Sequence, residues 1–160
     1  MAEISRREFI LLLARAGEHP RFRDLDLSGL DLRGLDLHGA DLTMAELIQA
    51  DLEGANLREA NLERAVLAEA NLKEADLSFA NLANANLHLV KLEGASMTGA
   101  NLTNVNMSGV DLEGVDLLQA NLSNVDFTHA ILKNTRINLN QLKAAKTIAG
   151  AILPDGTHTN

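Results

Sequence analysis

Residues 55–74 read ANLREANLERAVLAEANLKE, and their pattern predicts the fold of the chain. It holds four copies of a five-residue unit, A-(D/N)-L-x-x, in which only Val66 departs from the polar second position. From Leu27 to Ile137 every fifth residue is large and apolar, at 23 consecutive positions of which 19 are Leu. The other four are Met97, Met107, Phe127 and Ile137. The chain is therefore a repeat protein built from very short units.

A period of five fits neither an α-helix nor a flat strand. Positions five apart rotate by about 140° on a helix, so the leucines would circle its axis. On a strand, positions five apart fall on opposite faces. The chain must therefore turn once per unit, with the Ala and Leu positions pointing inward and the last two residues forming a corner. Gly or Asn occupies the last position of twelve units, as corners with positive φ require.

The spacing of charges indicates how many units form one coil. Six charged residues that directly follow a central Leu recur at every fourth unit, namely Arg33, Glu53, Lys73, Glu93, Glu113 and Lys133. In a coil of four units they stack in one column, about 4.8 Å apart. Most neighbours in this column have opposite charges, and Glu93 beneath Glu113 is the one unfavourable step. A second column contains Asp41, Asn61, Asn81, Asn101 and Asn121. We therefore predict about six coils of about 20 residues each.

The interior of such a coil holds four Leu-type and four small side chains. Large and small residues in alternation fill a narrow interior without voids. Burying one Leu contributes about 2 kcal/mol, so the repeat carries the fold although aromatic residues make up only 2% of the chain. The predicted structural core includes Leu52, Leu57, Leu62, Leu72, Leu77 and Leu82.

The A-(D/N)-L-x-x pattern of residues 22–139 resembles the pentapeptide repeat family. The resemblance implies an all-β solenoid, a right-handed quadrilateral β-helix, whose handedness is taken from the family alone. The end of the chain is similar to the C-termini of uncharacterised cyanobacterial members. We divide the chain into an N-terminal capping α-helix at 1–20, the β-helix at 21–139, and a C-terminal cap and tail at 140–160.

The N-terminal segment predicts a helix that covers the open end of the solenoid. Ser5 and Glu8 form a capping box, which predicts a helix from Arg6 to Ala16 that stops at Gly17. The residues expected to face the first coil are Phe9, Ile10, Leu12 and Leu13. An alternative is a twin-arginine-like export signal at residues 5–10, with a cytoplasmic location as the preferred interpretation because the apolar stretch is short.

The C-terminal segment departs from the repeat. Asn140 is the expected cap of a short helical turn through residues 141–146. A final apolar strand is expected at residues 147–153, and residues 157–160 are expected to be a loose tail.

The composition argues against most kinds of chemical site. The chain has no Cys, which excludes disulfides, thiolate metal sites and Cys nucleophiles. The five His residues share no column, so no metal cluster is expected. A ring of four acidic residues surrounds the first coil, namely Asp26, Asp31, Asp36 and Asp41. It is interpreted as side chains that bond turn amides, with a divalent cation site as the alternative. We expect no catalytic residue, no cofactor and no membrane span.

The outward positions offer a candidate partner surface. Ile48, Val66, Ala68 and Leu89 fall on one side in consecutive coils, and Phe79 and Leu118 fall on another. Scattered apolar surface residues are normal, but four on one side suggest a patch for a protein partner or for self-association. The protein is expected to be a monomer or a weak homodimer. The first functional hypothesis is therefore a non-enzymatic scaffold for protein–protein interaction or regulation.

The charge supports a second hypothesis. Residues 25–139 carry 17 acidic and seven basic side chains, a net charge of −10 within a chain of net charge −8. Such a surface disfavours direct nucleic-acid binding. Some pentapeptide repeat proteins act as DNA mimics that bind DNA gyrase, so the resemblance implies an acidic DNA mimic of gyrase or of another nucleic-acid-binding protein as the alternative. The loops that interrupt the coils of those proteins are missing from this sequence.

Overall fold

The structure, a computed structural model, describes residues 4–17 and 19–160. Within these residues two helices, α1 (Arg6–Arg15) and α2 (Leu139–Ala144), flank a chain that winds in regular turns. Successive windings pair in parallel between residues that are four pentapeptides apart, such as Asn61 with Asn81 and Asn81 with Asn101. Four pentapeptides therefore form one coil, as the columns of charged and Asn residues predict.

The β structure is reduced to single bridging residues. Each pentapeptide contributes one bridge at its Asp or Asn position, and a turn begins two residues later. The bridges run from Arg21 to His158, and among the described residues they do not extend into continuous strands. The reason is the short period, because a chain that turns every five residues has no room for a longer ladder.

Each coil has four faces, which we name by the residues of one coil. Face A contains residues 41–45, face B 46–50, face C 51–55 and face D 56–60. The same face of the next coil lies four pentapeptides further along the chain. Faces A and C are opposite each other, as are faces B and D.

The interior of the solenoid is a continuous apolar column. All six leucines of the predicted core are buried, and so are the Ala positions between them. In the first coil the Ala positions hold Leu25, Leu30 and Leu35, which are only partly buried. Among residues 4–17 and 19–160 the element next to this layer is α1 and not a further coil, and the larger side chains close the end of the interior.

Every corner has positive φ, whatever residue stands there. Gly99 has φ of 68°, but Phe79 and Leu89 adopt the same conformation with φ of 62° and 54°. For a non-glycine residue this conformation costs about 1 kcal/mol or more. The hydrogen bonds and buried leucines on both sides of the corner impose it, which the preference for Gly and Asn in the sequence only partly indicates.

Helix α1 begins as the capping box predicts. Ser5 is the N-cap, and its backbone N–H donates to Glu8 Oε2 at 2.8 Å. Phe9 is buried, and its ring centroid lies 4.7 Å from that of Phe22 in the first coil. The Arg6 guanidinium also ties the helix to this coil, since its Nη1 lies 2.8 Å from Asp31 Oδ1.

The predicted packing face of α1 is partly wrong. Phe9 is buried and Leu13 is partly buried, but Ile10 and Leu12 are exposed, together with Leu11. The helical period explains this correction. Phe9 and Leu13 are four residues apart and share one face, whereas the three residues between them turn to the sides and to the back of the helix.

The C-terminal segment also differs from the expectation. The N-cap of α2 is Asn138 and not Asn140, because the side chains of Asn138 and Gln141 form a capping box. Beyond the helix the pairing interval grows by one residue, as in Asp126 with Thr147. Residues 157–160 are not loose, since His158 bridges Ile152 in antiparallel fashion and the Thr159 N–H donates to Ala151 O at 2.9 Å.

No helix among the described residues has the length and apolar character needed to cross a membrane.

Candidate interaction surfaces

Face B holds the apolar residues singled out in the sequence. Ile48 and Leu89 are 38% and 56% exposed, and Val66 and Ala68 are partly buried. The backbone bond from Gln49 N–H to Ala68 O, 3.0 Å long, places Ala68 on the coil next to Ile48. Ile48, Val66 and Ala68 are therefore near neighbours on one face.

Leu89 lies on the same face but not in direct continuity with the other three. It occupies the corner column that contains Gln49 and Glu69, whose side chains hydrogen-bond to each other at 2.9 Å. This polar pair stands between Leu89 and Ile48. Face B thus carries an apolar cluster of three residues and a separate exposed Leu at the corner two coils away.

The apolar surface around Ile48 extends toward the N-terminal end of the solenoid. A groove of about 670 Å³ lies between the start of α1 and the first coils on face B. Ile4, Leu30 and Ile48 form its apolar walls, and Asp26, Glu46 and Gln49 contribute polar atoms. Ile4 and Leu30 were not among the predicted surface residues, because a repeat-based analysis does not place the helix against a particular face.

Face D holds Phe79 and Leu118, two coils apart. Phe79 is 51% exposed, but its ring is also used within the protein. The Arg58 guanidinium lies 5.4 Å from the centroid of the Phe79 ring. The same ring covers Gly99 on the next coil. A Cβ at Gly99 would lie 2.6 Å from the ring, so a larger residue there would force the Phe79 ring to move. The Gly99 N–H donates to Leu118 O at 2.8 Å, which places Leu118 one coil further.

The carboxylates of the Asp/Asn position bond local amides. In the first coil Asp26 and Asp31 accept the backbone N–H of Ser28 and Arg33 at 2.9 and 3.2 Å, and Asp36 and Asp41 accept in the same way. The Arg33 side chain, which donates to Asp31, holds the pKa of that carboxyl well below its usual range. The Ser28 amide lowers the pKa of Asp26.

Among the described residues no cluster of three or more His, Asp or Glu residues is arranged to hold a metal ion.

The negative charge is unevenly distributed over the faces. Face A from residue 81 to 125 carries no charged side chain, and its Asn residues form ladders in which Asn101 Nδ2 donates to Asn81 Oδ1 at 2.9 Å and Asn104 Nδ2 donates to Asn84 Oδ1 at 3.1 Å. Face C carries more ion pairs than any other face, including Lys73 with Glu93. The solenoid is thus not a uniformly acidic rod.

A gap, which we call the seam, separates residues 91–95 from residues 111–113 on face C and extends into face B, where Asn86 and Asn106 still form a bridge. Everywhere from residue 22 to residue 84, the Leu and corner amides donate to a carbonyl of the next coil, as the Leu72 N–H does to Lys91 O. Within the described residues no such bond forms from Leu87, Leu89, Leu92 or Gly94, nor do the amides of residues 106 and 111 donate to the coil below. Lys91 and Asp111 form no bridge, and a cavity of about 420 Å³ lies between them.

The seam was not predicted from the sequence as a structural feature. The unfavourable step from Glu93 to Glu113 was visible in the column of charges, and it lies at this gap. Val90 and Val110, which stack at the same corner, are the second signal that the sequence contains.

Comparison with solved structures supports the fold. Rfr23, a pentapeptide repeat protein from the cyanobacterium Cyanothece 51142, is 30% identical with a TM-score of 0.68, covering 81% of this chain and 99% of that one. QnrB1, a plasmid-mediated fluoroquinolone resistance protein, is 22% identical with a TM-score of 0.54, covering 79% of this chain and 78% of that one. The alr5209 protein of Nostoc Pcc 7120 is 33% identical with a TM-score of 0.36, covering 63% and 84%.

No curated protein matches the sequence. The family pattern described as pentapeptide repeats matches in eight copies, at residues 21–58, 45–78, 70–109, 80–117 and 106–139. These segments cover the solenoid from its first bridge to the start of α2. The chain belongs to the pentapeptide repeat family.

Proposed function

We propose that this protein is a non-enzymatic scaffold that binds a protein partner through face B, near its N-terminal end. The observation that carries the proposal is the groove of about 670 Å³ whose apolar walls include the exposed Ile48. The right-handed winding of the family and a cytoplasmic location belong to this proposal as well.

Face B combines an ordered backbone with an apolar surface. The coils from residue 22 to residue 84 are held by regular backbone bonds and a buried Leu column, so exposed apolar residues on them are presented on an ordered backbone. Ile48, Val66 and Ala68 lie together on a face whose other side chains are mainly polar. Apolar surface rimmed by polar groups is typical of protein interfaces.

A charge introduced into face B tests the proposal. The double variant Ile48→Glu, Leu89→Glu is compared with Met44→Glu, which changes an equally exposed apolar residue, 40% against 38%, on face A. Light scattering over a concentration series measures homodimerisation, and affinity capture from the native host measures partner binding. We expect the double variant to lose association that Met44→Glu retains. Equal association of both variants would contradict the proposal.

The second candidate is the acidic DNA mimic, favoured by the net charge of −10 over residues 25–139. The fold likeness to QnrB1 gives the shape but no shared activity. Against it stand the uncharged Asn ladders of face A and the carboxylates already engaged in ion pairs, such as Asp116 with Arg136.

A supercoiling assay with DNA gyrase separates the two candidates. A mimic occupies the basic DNA-binding groove of the enzyme, so it inhibits supercoiling at micromolar protein and less so at high salt. The face B scaffold predicts no effect. Inhibition that survives in the Ile48→Glu, Leu89→Glu variant would replace the first proposal by the second.

A further inference from the structure

We propose that the seam is a charge-controlled joint, at which repulsion between Glu93 and Glu113 holds two parts of the solenoid apart on face C and weakens the backbone pairing on face B, where only the bridge of Asn86 with Asn106 remains. The coils below it end at residue 95, and the coils above it begin at residue 106. Faces D and A connect them, with intact bonds such as that from Met97 N–H to Asp116 O at 2.8 Å. The joint lets one half of the solenoid bend relative to the other.

The ion pairs of the charge column point away from the seam on both sides. Glu93 Oε2 lies 2.5 Å from Lys73 Nζ on the coil below. Glu113 Oε1 lies 3.3 Å from Lys133 Nζ on the coil above. Each glutamate therefore pairs with the cation on its outer side, and no attraction crosses the gap in this column.

The neighbouring column shows that the coils have separated. Lys91 and Asp111 occupy equivalent positions of successive coils and are oppositely charged, a combination that forms ion pairs elsewhere on the solenoid, as in Lys146 with Asp126 at 3.5 Å. In the part of the chain that the structure describes, Lys91 and Asp111 do not approach within ion-pair distance. Lys91 and Asp111 remain apart, although their charges attract, because the backbones of their two coils are not paired.

Large side chains in the interior do not by themselves separate two successive coils. Val90 stacks beneath Val110 at the seam, and Val105 stacks beneath Val125 on the corner between faces A and B. The second pair has the same two side chains, yet the Asp126 N–H donates to Val105 O at 3.1 Å. The feature that distinguishes the seam is the like-charge step outside it.

A double charge swap tests the proposal without changing the net charge. The variant Glu113→Lys, Lys133→Glu makes the column alternate strictly in sign. Amide hydrogen exchange of Leu87, Leu89, Leu92 and Gly94 is measured by NMR, with Leu67, Glu69, Leu72 and Glu74 one coil below as internal references. In the unchanged protein we expect the four seam amides to exchange at least tenfold faster than the references. The swap slows them by about fivefold or more.

The single variant Glu113→Lys provides a matched control. It makes the step from residue 93 to residue 113 attractive and the step from residue 113 to Lys133 repulsive. The seam amides are then expected to slow, while the amides of Leu112 and Gly114, which now donate to Ile131 O and Lys133 O, exchange faster. The gap between coils is then expected one coil further along, between residues 113 and 133.

Two results would overturn the proposal. Seam amides of the unchanged protein that exchange as slowly as the references would mean that the coils are closed in solution. Seam amides that respond to Val110→Ala but not to the double swap would mean that interior packing, and not charge, opens the joint. The reference amides report in each case that the variant is folded.

Discussion

Faces A and C of the same two coils behave in opposite ways. On face A the coils of Asn81 and Asn101 are joined by backbone bonds and by a ladder of side-chain amides. On face C the coils of Lys91 and Asp111 share no bridge. Both faces carry the same repeat and bury the same Leu column. The difference lies in the outward side chains, since an Asn donates and accepts along the column whereas stacked glutamates repel.

The comparison teaches that the repeat specifies a coil but leaves its closure to the residues outside. The backbone pattern offers each coil the same donors and acceptors. Whether these donors and acceptors form hydrogen bonds depends on the outward side chains, whose stacked pairs contribute a few tenths of a kcal/mol to about 1 kcal/mol each. A regular solenoid can therefore hold an irregular site without any insertion or change of period.

The largest expected effect comes from removing a core leucine on each face. Leu82 lies inside face A and Leu92 inside face C, and both are buried. Leu82→Ala is expected to cost about 3–5 kcal/mol, because closed coils cannot collapse onto the cavity. Leu92→Ala is expected to cost about 2–3 kcal/mol, because the open seam can relax. Urea unfolding of both variants measures the difference, and equal losses would contradict a rigid face A.

Glycine corners offer a comparison of intermediate size. Gly99 and Gly109 have the same φ of 68°, but a Cβ at Gly99 would meet the Phe79 ring at 2.6 Å while one at Gly109, above the seam, meets nothing within 4 Å. Gly99→Ala is expected to cost about 1–2 kcal/mol more than Gly109→Ala, which carries only the cost of its conformation. Thermal unfolding compares them. A larger loss for Gly109→Ala would contradict this prediction.

The Asn ladder is tested by one substitution and its counterpart at the seam. Asn101 Nδ2 donates to Asn81 Oδ1, and Asn101 Oδ1 accepts the Thr103 N–H at 3.2 Å. Asn106 Oδ1 accepts only the Ser108 N–H at 2.9 Å among the described residues. Asn101→Ala is expected to destabilise by about 1–2 kcal/mol and Asn106→Ala by about half as much. Chemical denaturation of the two variants measures the loss in free energy of unfolding. Equal losses would mean that the Asn ladder does not stabilise face A.

Acid is expected to have the smallest effect per residue. The pKa of Asp31 is lowered in the folded protein, chiefly by the Arg33 side chain, so the stability it contributes is fully present above the unfolded pKa of about 3.9. That stability is lost as the pH falls below this value toward the lower folded pKa. The Asn acceptors of face A do not titrate.

The matched variant for this prediction is Asp31→Asn. Asn accepts the same turn amide without a charge, as Asn61 does from the Glu63 N–H at 3.2 Å. Melting temperatures measured by circular dichroism from pH 7 to pH 2 should fall less steeply for Asp31→Asn than for the unchanged protein. Identical slopes would show that this carboxylate does not contribute to acid sensitivity.

Much of the fold was predictable because it is local or periodic. The capping box at Ser5 and the inward Leu positions depend on neighbours in the sequence, and the stacked columns follow from the period. For the candidate surface, the sequence predicted which face carries the apolar residues but not the groove that they line. The columns place Ile48, Val66 and Ala68 together, but the groove that joins Ile48 to Ile4 depends on where α1 docks.

A coil of four pentapeptides can be predicted from the amino-acid sequence, because a period of five makes the chain turn once per unit and the charged and Asn columns recur at every fourth unit. The outward side of α1, the position where the last residues fold back, and the position where two coils part are seen only in the folded molecule. These features depend on small differences between contacts that are distant in the chain, and such differences become visible only when the coils are stacked.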